Sequence, residues 1–291
     1  FGLFDIGKSA LFASQAALQV TSNNIANANT PGYTRQEVVL EIAHPAEIKD
    51  GFLGRGVAVA GIRRNYDRFI QAQLLGQRQN YGRSSALQQS LSQIEQVFND
   101  GAGLGLASPF AAYFSALHEV STNPEGLTQR QVLLQNGTDL ARAAQQLERS
   151  ILDTARQANE EIGLLVENIN AMASNIAVLN ERIVQSEAGL GRETALDLRT
   201  QRDQVLDDLA QLIEFSSFED RNGAVTITVG MRNLVAGART NTLSAVTNQD
   251  GDKELLLDGI NITSSVQKGR VGGLIAVRED IQENALTSLR K

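Results

Sequence analysis

The chain has 291 residues, 42% of them hydrophobic and 20% charged, a length and balance suited to a folded protein of two or three domains. A net charge of −7 argues against a nucleic-acid partner, and an aromatic share of 5% without tryptophan argues against a large aromatic-lined pocket. The absence of cysteine excludes disulfides, thiol catalysis and cysteine-bound metals.

The first element is helical. Phe4, Leu11, Leu18 and Ile25 recur every seventh residue, with Ala10, Ala13, Ala16 and Ala17 between them, which predicts a helix carrying one narrow apolar stripe. Such a stripe either docks on its own domain or is left for a partner. Phe1 to Lys8 show no basic region leading into a compact apolar core, so no cleaved signal peptide is read, and no apolar run approaches the roughly 20 residues that span a bilayer.

The helix runs into Asn23-Asn24-Ile25-Ala26-Asn27-Ala28-Asn29-Thr30-Pro31-Gly32-Tyr33-Thr34-Arg35-Gln36. Asparagines cap helix ends, tolerate left-handed backbone and bond nearby main chain. Pro31 blocks further helix and drives Thr30 toward extended geometry, and Gly32 permits a turn. The string reads as a polar cap that hands the chain to an extended segment. Residues 37–62 then form a connector with local β pairing, Val57-Ala58-Val59-Ala60 being its plainest strand and Gly51, Gly54, Gly56 and Gly61 excluding helix.

Helical spacing returns near Tyr66. Phe69, Ile70, Leu74, Leu75, Leu87, Leu91, Ile94, Val97 and Phe98 predict a long amphipathic helix, bent near Tyr81-Gly82 and ending before Gly101. Ser108 is expected to cap a shorter helix with Pro109 at its first position and Phe110, Tyr113, Phe114 and Leu117 on its apolar face. After a turn at Asn123-Pro124 comes a very long helix. Leu140, Ala144, Leu147 and Ile151 lead into Ala155, Ala158, Ile162, Leu165, Ile169, Met172, Ile176, Leu179 and Ile183, a coiled-coil seam with one stutter at 151–155. Gly189-Leu190-Gly191 interrupts it, and a second helix over about 193–213 folds back as an antiparallel hairpin on the 66–99 helix.

The period then changes. Arg221-Asn222-Gly223 ahead of alternating Val225, Ile227 and Val229 is a hairpin signal. Leu234-Val235, Leu243 to Val246 and Leu255 to Leu257 give further short strands, with a turn at Gln249 to Asp252. The tail from Gly272 is helical through Leu289. The expected fold is mainly α with a small β-rich module: a long antiparallel coiled-coil-like helical bundle with a separate N-terminal helix. Its expected divisions are 1–62, 63–214, 215–263 and 264–291.

No constellation points to catalysis, a cofactor or a metal. His44 and His118 lack partners at ligand spacing. Gly101, Gly103 and Gly105 follow a helix rather than a strand, so they read as an interhelical loop instead of a phosphate cradle. Asp250 and Asp252 lack the remaining ligands of a calcium loop. Glu160-Glu161 and Asp207-Asp208 read as solvated helix surface, and Arg199 and Arg202 with Asp197 and Asp203 as surface ion pairs that would set register between subunits.

With Ser9-Ala10-Leu11 upstream, the Asn-rich string resembles the N-terminal signature of bacterial flagellar rod, hook and hook-associated proteins. Thr30 to Gln36, Tyr113 to Leu117, Ser121 to Glu125, Asp197 to Asp203 and Gly272-Gly273-Leu274 make it most similar to the hook-associated members at the hook–filament junction. The resemblance implies a non-enzymatic structural subunit. Its N-terminal helix would stay mobile until assembly and pair with a C-terminal helix lying beyond Lys291. It implies partners in identical subunits of a ring, the hook protein and the next hook-associated junction protein, with no nucleic acid and no membrane. It also implies export through the flagellar type III apparatus, a chaperone gripping the C-terminal region, and an extracellular place on the flagellum. The assembly residues expected are Leu11, Leu18 and Ile25 for packing, and Asn23, Asn24, Asn27, Asn29, Pro31, Gly32 and Tyr33 for the turn and lateral contacts. The alternative is a secreted coiled-coil adhesin or effector that binds through its helical hairpin and does not need residues 1–33.

Overall fold

A computed structural model describes residues 3–48, 51–97, 105–188 and 195–285. The expectations at Phe98, Gly101, Gly103, the Gly189-Leu190-Gly191 break and Leu289 lie outside the described residues. The chain forms two compact units: residues 1–77, 170–209 and 215–242 make the first, and residues 78–169, 210–214 and 243–291 the second.

The first unit begins with α1 (Leu3–Ala26), followed by strands β1 (Gln36–Ile42), β2 (Ala46–Ile48), β3 (Gly51–Leu53) and β4 (Val57–Arg64). β1 and β4 pair antiparallel from Gln36↔Arg64 to Ile42↔Val57, with an irregularity at Val39/Leu40, and β2 pairs with β3. The connector expected at 37–62 is therefore a two-tier ribbon. The unit also holds the start of α2 (Arg68–Val97), the end of α4 (Leu127–Glu187) and most of α5 (Leu196–Leu212). A four-stranded sheet, β5 (Ser216–Glu219), β6 (Val225–Val229), β7 (Arg232–Ala236) and β8 (Arg239–Thr240), completes it in sequential antiparallel order. Ile176 and Ile183 of α4, Leu209 of α5, and Ile227, Leu234 and Val235 of the sheet are shut off from solvent.

The second unit holds the rest of α2, α3 (Ala107–Thr122), the first two-thirds of α4, and a three-stranded sheet of β9 (Leu243–Thr247), β10 (Lys253–Leu257) and β11 (Ile260–Asn261). Its last described elements are α6 (Gly269–Asp280) and the π-helical turn at Ile281–Ala285 into which it runs. Leu147, Ile151 and Ala155 of α4 pack with Val277 of α6 and Ile281, with Leu87 and Ile94 of α2 against them. The stretch read as one module at 215–263 is thus two sheets, one in each unit. The α4 seam is buried at Ala155, Ala158, Ile162, Leu165, Ile169, Ile176, Leu179 and Ile183, while Met172 is half-buried. One stretch of α4 is long and apolar enough by composition to cross a bilayer, but 44% of it is buried inside the fold, as a core helix requires.

Two local expectations change. α2 is continuous through Gly82, where a side chain would strike the Gln211 carbonyl; the glycine admits the last turn of α5 rather than a bend. Ser108 is not the cap of α3: the helix begins at Ala107 with Leu106 before it, and no side chain caps it. Pro109 is tolerated there because first-turn N–H groups have no intrahelical acceptor.

The sheets sit on α4 by the same device used twice. In the first unit, Asn180 Oδ1 accepts the Val225 N–H at 2.9 Å and Arg202 Nη1 at 3.0 Å, while its Nδ2 donates to the Val225 carbonyl. In the second, Asn159 Oδ1 accepts the Lys253 N–H at 2.9 Å and Arg278 Nη1 at 3.0 Å, and Arg278 donates to the Lys253 carbonyl. Both asparagines open an Asn-Glu-X-Ile string, at 159–162 and 180–183. The preceding loops match as well: Asp220 Oδ1 accepts the N–H groups of Asn222 and Ala224, and Asn248 Oδ1 those of Asp250 and Asp252. The first residue of each sheet's inner strand is thereby fixed on an α4 asparagine, Asn180 fully buried and Asn159 half-buried, which sets strand register.

Candidate assembly interface

The N-terminal helix has two working faces. Ser9, Ala13, Ala16, Ala17, Val20 and Asn24 follow a three-to-four spacing and point toward the β1–β4 ribbon; Ala13 and Val20 are buried. Ser9 Oγ accepts the Val57 N–H at 3.3 Å, and at the far end Asn24 meets Gln36. The opposite face carries the heptad stripe, and none of the described residues covers it. Phe4 is 92% exposed, Leu11 73%, Leu18 69% and Ile25 72%. The sequence thus sorts small residues to the face that must approach a ribbon and large apolar ones to the free face. The helix is formed and rests by one side on the ribbon.

The asparagine string folds into a clamp. Asn24 Nδ2 donates to the Gln36 carbonyl at 2.8 Å, and its Oδ1 accepts the Gln36 N–H and the Tyr33 hydroxyl, each at 2.9 Å. Asn23 donates to the Tyr33 hydroxyl at 3.3 Å, and Asn27 donates back to the Asn23 carbonyl and Oδ1. Thr30 Oγ1 donates to Asn27 Oδ1, and the Tyr33 N–H closes a turn onto the Thr30 carbonyl. Gly32 takes φ +76°, a left-handed conformation that costs a side-chained residue about 1 kcal/mol. Partial burial, helped by the charge of Asp197, raises the Tyr33 hydroxyl above its ordinary value. Asn29 is exposed. The residues expected as one interface therefore separate: Leu11, Leu18 and Ile25 face solvent, whereas Asn24, Pro31, Gly32 and Tyr33 are held by contacts within the chain.

The clamp rests on α5. Gln204 Nε2 donates to the Pro31 carbonyl at 2.6 Å, and Arg64, paired with Gln36 in the ribbon, reaches Asp203 Oδ2 at 2.7 Å. That ion pair is nearly dry, with side chains 6% and 11% exposed, and the Arg64 guanidinium lies 4.7 Å from the centre of the Tyr66 ring. Burial raises the Asp203 carboxyl above its usual range against the pull of Arg64.

Here the expectation of surface ion pairs is corrected. Arg199 and Arg202 are 2% and 1% exposed. Arg199 bonds to Glu187 at 2.8 and 2.9 Å and to Glu219; burial works against its charge, but the two carboxylates hold it above its ordinary value. Arg202 donates to Asn180 and, at 2.6 Å, to the Gly223 carbonyl, and burial lowers it. Helical periodicity placed these charges correctly on one helix but could not reveal that β6 and α4 cover them. A charge reversal at Arg202 would break the interior before testing any contact between subunits. Likewise Asp207 accepts from Gln71 at 3.0 Å and Glu161 pairs with Arg270, so neither is simply solvated. Asp252 accepts from Asn159 and Gln282 in the turn expected there. His44 and His118 are exposed, and among the described residues no three His, Asp or Glu groups gather as a metal site.

Two sequence families match the chain. One, the flagellar hook-associated protein FlgK helical domain, covers residues 91–291; the other, flagella basal body rod protein, covers residues 4–34. Among curated proteins, flagellar hook-associated protein 1 of Salmonella typhimurium is 32% identical over 246 residues, 84% of this chain and 44% of that protein. The protein of the same name from Escherichia coli is 28% identical over 295 residues, 98% of this chain and 54% of its own length, and that of Bacillus subtilis is 31% identical over 227 residues. The chain thus spans about half the length of the curated relatives it matches. Among solved structures, the flagellar hook junction protein FlgK from Burkholderia pseudomallei shares the fold, with a TM-score of 0.59 and 23% identity over 70% of this chain and 38% of that one.

Proposed function

This chain belongs to the flagellar hook-associated protein FlgK family, and from that premise we propose that it is a structural subunit of the bacterial flagellum, joining hook to filament. The observation that carries the reading is the uncovered stripe of Phe4, Leu11, Leu18 and Ile25 on a helix already docked by its other face. A soluble helix gains nothing by leaving four large apolar residues in line in water; burying each in an assembly contributes on the order of 2 kcal/mol. In this reading Leu11, Leu18 and Ile25 pack in the polymer core against a helix of the longer protein and against identical subunits in a ring. Asn23, Asn24, Asn27, Asn29, Pro31, Gly32 and Tyr33 form the turn and the lateral contacts, Asn23 and Asn29 from its exposed side. Hook protein and the next hook-associated junction protein are the neighbours along the axis. Export through the flagellar apparatus with a chaperone on the C-terminal region, and an extracellular place at the junction, belong to the same proposal.

The test is co-sedimentation of the full-length gene product with purified hooks, beside a copy lacking residues 1–33. Binding by the intact protein alone is expected. Equal binding by both would overturn the role given to the N-terminal helix, and binding by neither would overturn the junction assignment.

A further inference from the structure

α5 carries four polar residues on one face. Thr200, Asp203, Gln204 and Asp207 stand at positions i, i+3, i+4 and i+7, the spacing that lines up side chains along a helix. Together they meet three points of residues 31–71 in the first unit: Pro31, Arg64 and Gln71. Gln204 Nε2 donates to the Pro31 carbonyl; Asp203 takes Arg64 of the ribbon, with Thr200 Oγ1 3.5 Å from the same guanidinium nitrogen; Asp207 accepts from Gln71 at the start of α2. The fit at Gly32 is close: a Cβ there would lie 2.5 Å from Gln204 Cγ and 2.9 Å from Nε2. The ribbon side is equally constrained, since Gln36, gripped through both its main-chain groups by Asn24, is the register partner of Arg64.

We propose that this polar face of α5 is a docking rail, with Gln204 as its positioning residue, that fixes the direction in which the apolar stripe of α1 is presented for assembly. The inference rests on the stripe being the assembly surface. It goes beyond that reading by assigning the orientation of α1 to residues far along the chain that hold the clamp at its end. The chain of contacts is short and rigid: α1 ends in the Asn24 clamp, the clamp holds Tyr33 and Gln36, and Pro31 and Arg64 on either side of it are held by adjacent residues of α5. A hydrogen bond to a main-chain carbonyl and a buried, ring-stacked ion pair resist both sliding and rotation, which an apolar contact alone would not.

Gln204 is half-buried, so its replacement is tolerated by the fold. Four variants of the full-length gene product test the rail: Gln204→Ala; Gln204→Glu, which keeps the shape but has no donor for a carbonyl; Gly32→Ala; and Gly32→Ala with Gln204→Ala. Amide hydrogen exchange at Tyr33 to Gln36 and co-sedimentation with hooks are measured on each, with global melting as a control. Both Gln204 variants are expected to exchange about fivefold faster at these amides, the effect of one lost hydrogen bond, and to bind hooks more weakly, with melting unchanged. Gly32→Ala should be more damaging alone than on the Gln204→Ala background, where the Cγ it would strike is gone. Unchanged exchange in Gln204→Glu overturns the rail. Faster exchange with undiminished hook binding overturns its role in assembly. If the unmodified protein does not bind hooks, the junction reading fails by itself. The exchange and coupling measurements then still decide whether the rail holds the module, and a null result in both overturns it.

Discussion

At the scale of single residues, the interior of the first unit is governed by charge held out of water. Tyr66 lies beside this cluster, with Arg64 over its ring and Asp203 nearby. Burial, with Asp203 adding to it, pushes its hydroxyl up to about 12, against roughly 10 in an unfolded chain. An acid with a raised folded value is neutral in the folded state while the unfolded state already ionises. Stability from this group is therefore complete below about pH 10 and is lost as pH rises toward 12. Tyr66→Phe keeps the ring beneath Arg64 and removes the proton. Its melting temperature is expected to fall less between pH 9.5 and about 11.5 than that of the unmodified protein; equal losses would show that Tyr66 does not sense the folded interior. None of this was legible in the sequence, where Arg-Asp pairs on a polar helix look the same whether or not a sheet lies across them.

At the scale of elements, the two faces of α1 make opposite predictions. Leu18→Glu places a charge where the side chain is already 69% exposed, so melting should move by no more than about 0.5 kcal/mol, while co-sedimentation with hooks should be lost. Ala13→Glu places the same charge against the ribbon, at a residue 5% exposed. It should detach α1 and speed amide exchange along β1 and β4 at a cost of about 1–3 kcal/mol. If Leu18→Glu binds hooks normally, the stripe is not the assembly surface. The stripe was readable because a seven-residue repeat of Phe, Leu, Leu and Ile is a strong periodic signal. The docking face was not, because alanine and serine carry almost no hydrophobic signal and work by being small. The α4 seam and the strands of β6 were likewise legible from period alone. What periodicity could not supply was partnership: that Val225 and Lys253 each begin a strand on an asparagine of α4, although the repeated Asn-Glu-X-Ile string stood in plain view. The polar i, i+3, i+4, i+7 face of α5 was hidden for the same reason, since a buried polar seam and a solvated one are spelled alike.

At the scale of the whole molecule, the proposed assembly sets an apolar stripe that would draw copies together against a net charge that would drive them apart. These residues carry −7, so in the proposed ring this part of identical neighbours would repel over distances that salt shortens, from a screening length of about 30 Å at 0.01 M to about 8 Å at 0.15 M. The contact assigned to the stripe is apolar and is not weakened by salt in this range. The charges of the α5 cluster, Arg64, Arg199, Asp203, Glu187 and Glu219, are turned inward and paired within the chain, and Arg202 beside them is buried. Binding to hooks should therefore hold or strengthen as ionic strength rises from about 0.01 to 0.15 M, measured as the fraction co-sedimenting at fixed protein concentration. A steep loss of binding over that range would mean that pairing between unlike surface charges, rather than the Phe4–Leu11–Leu18–Ile25 stripe, holds the subunits together.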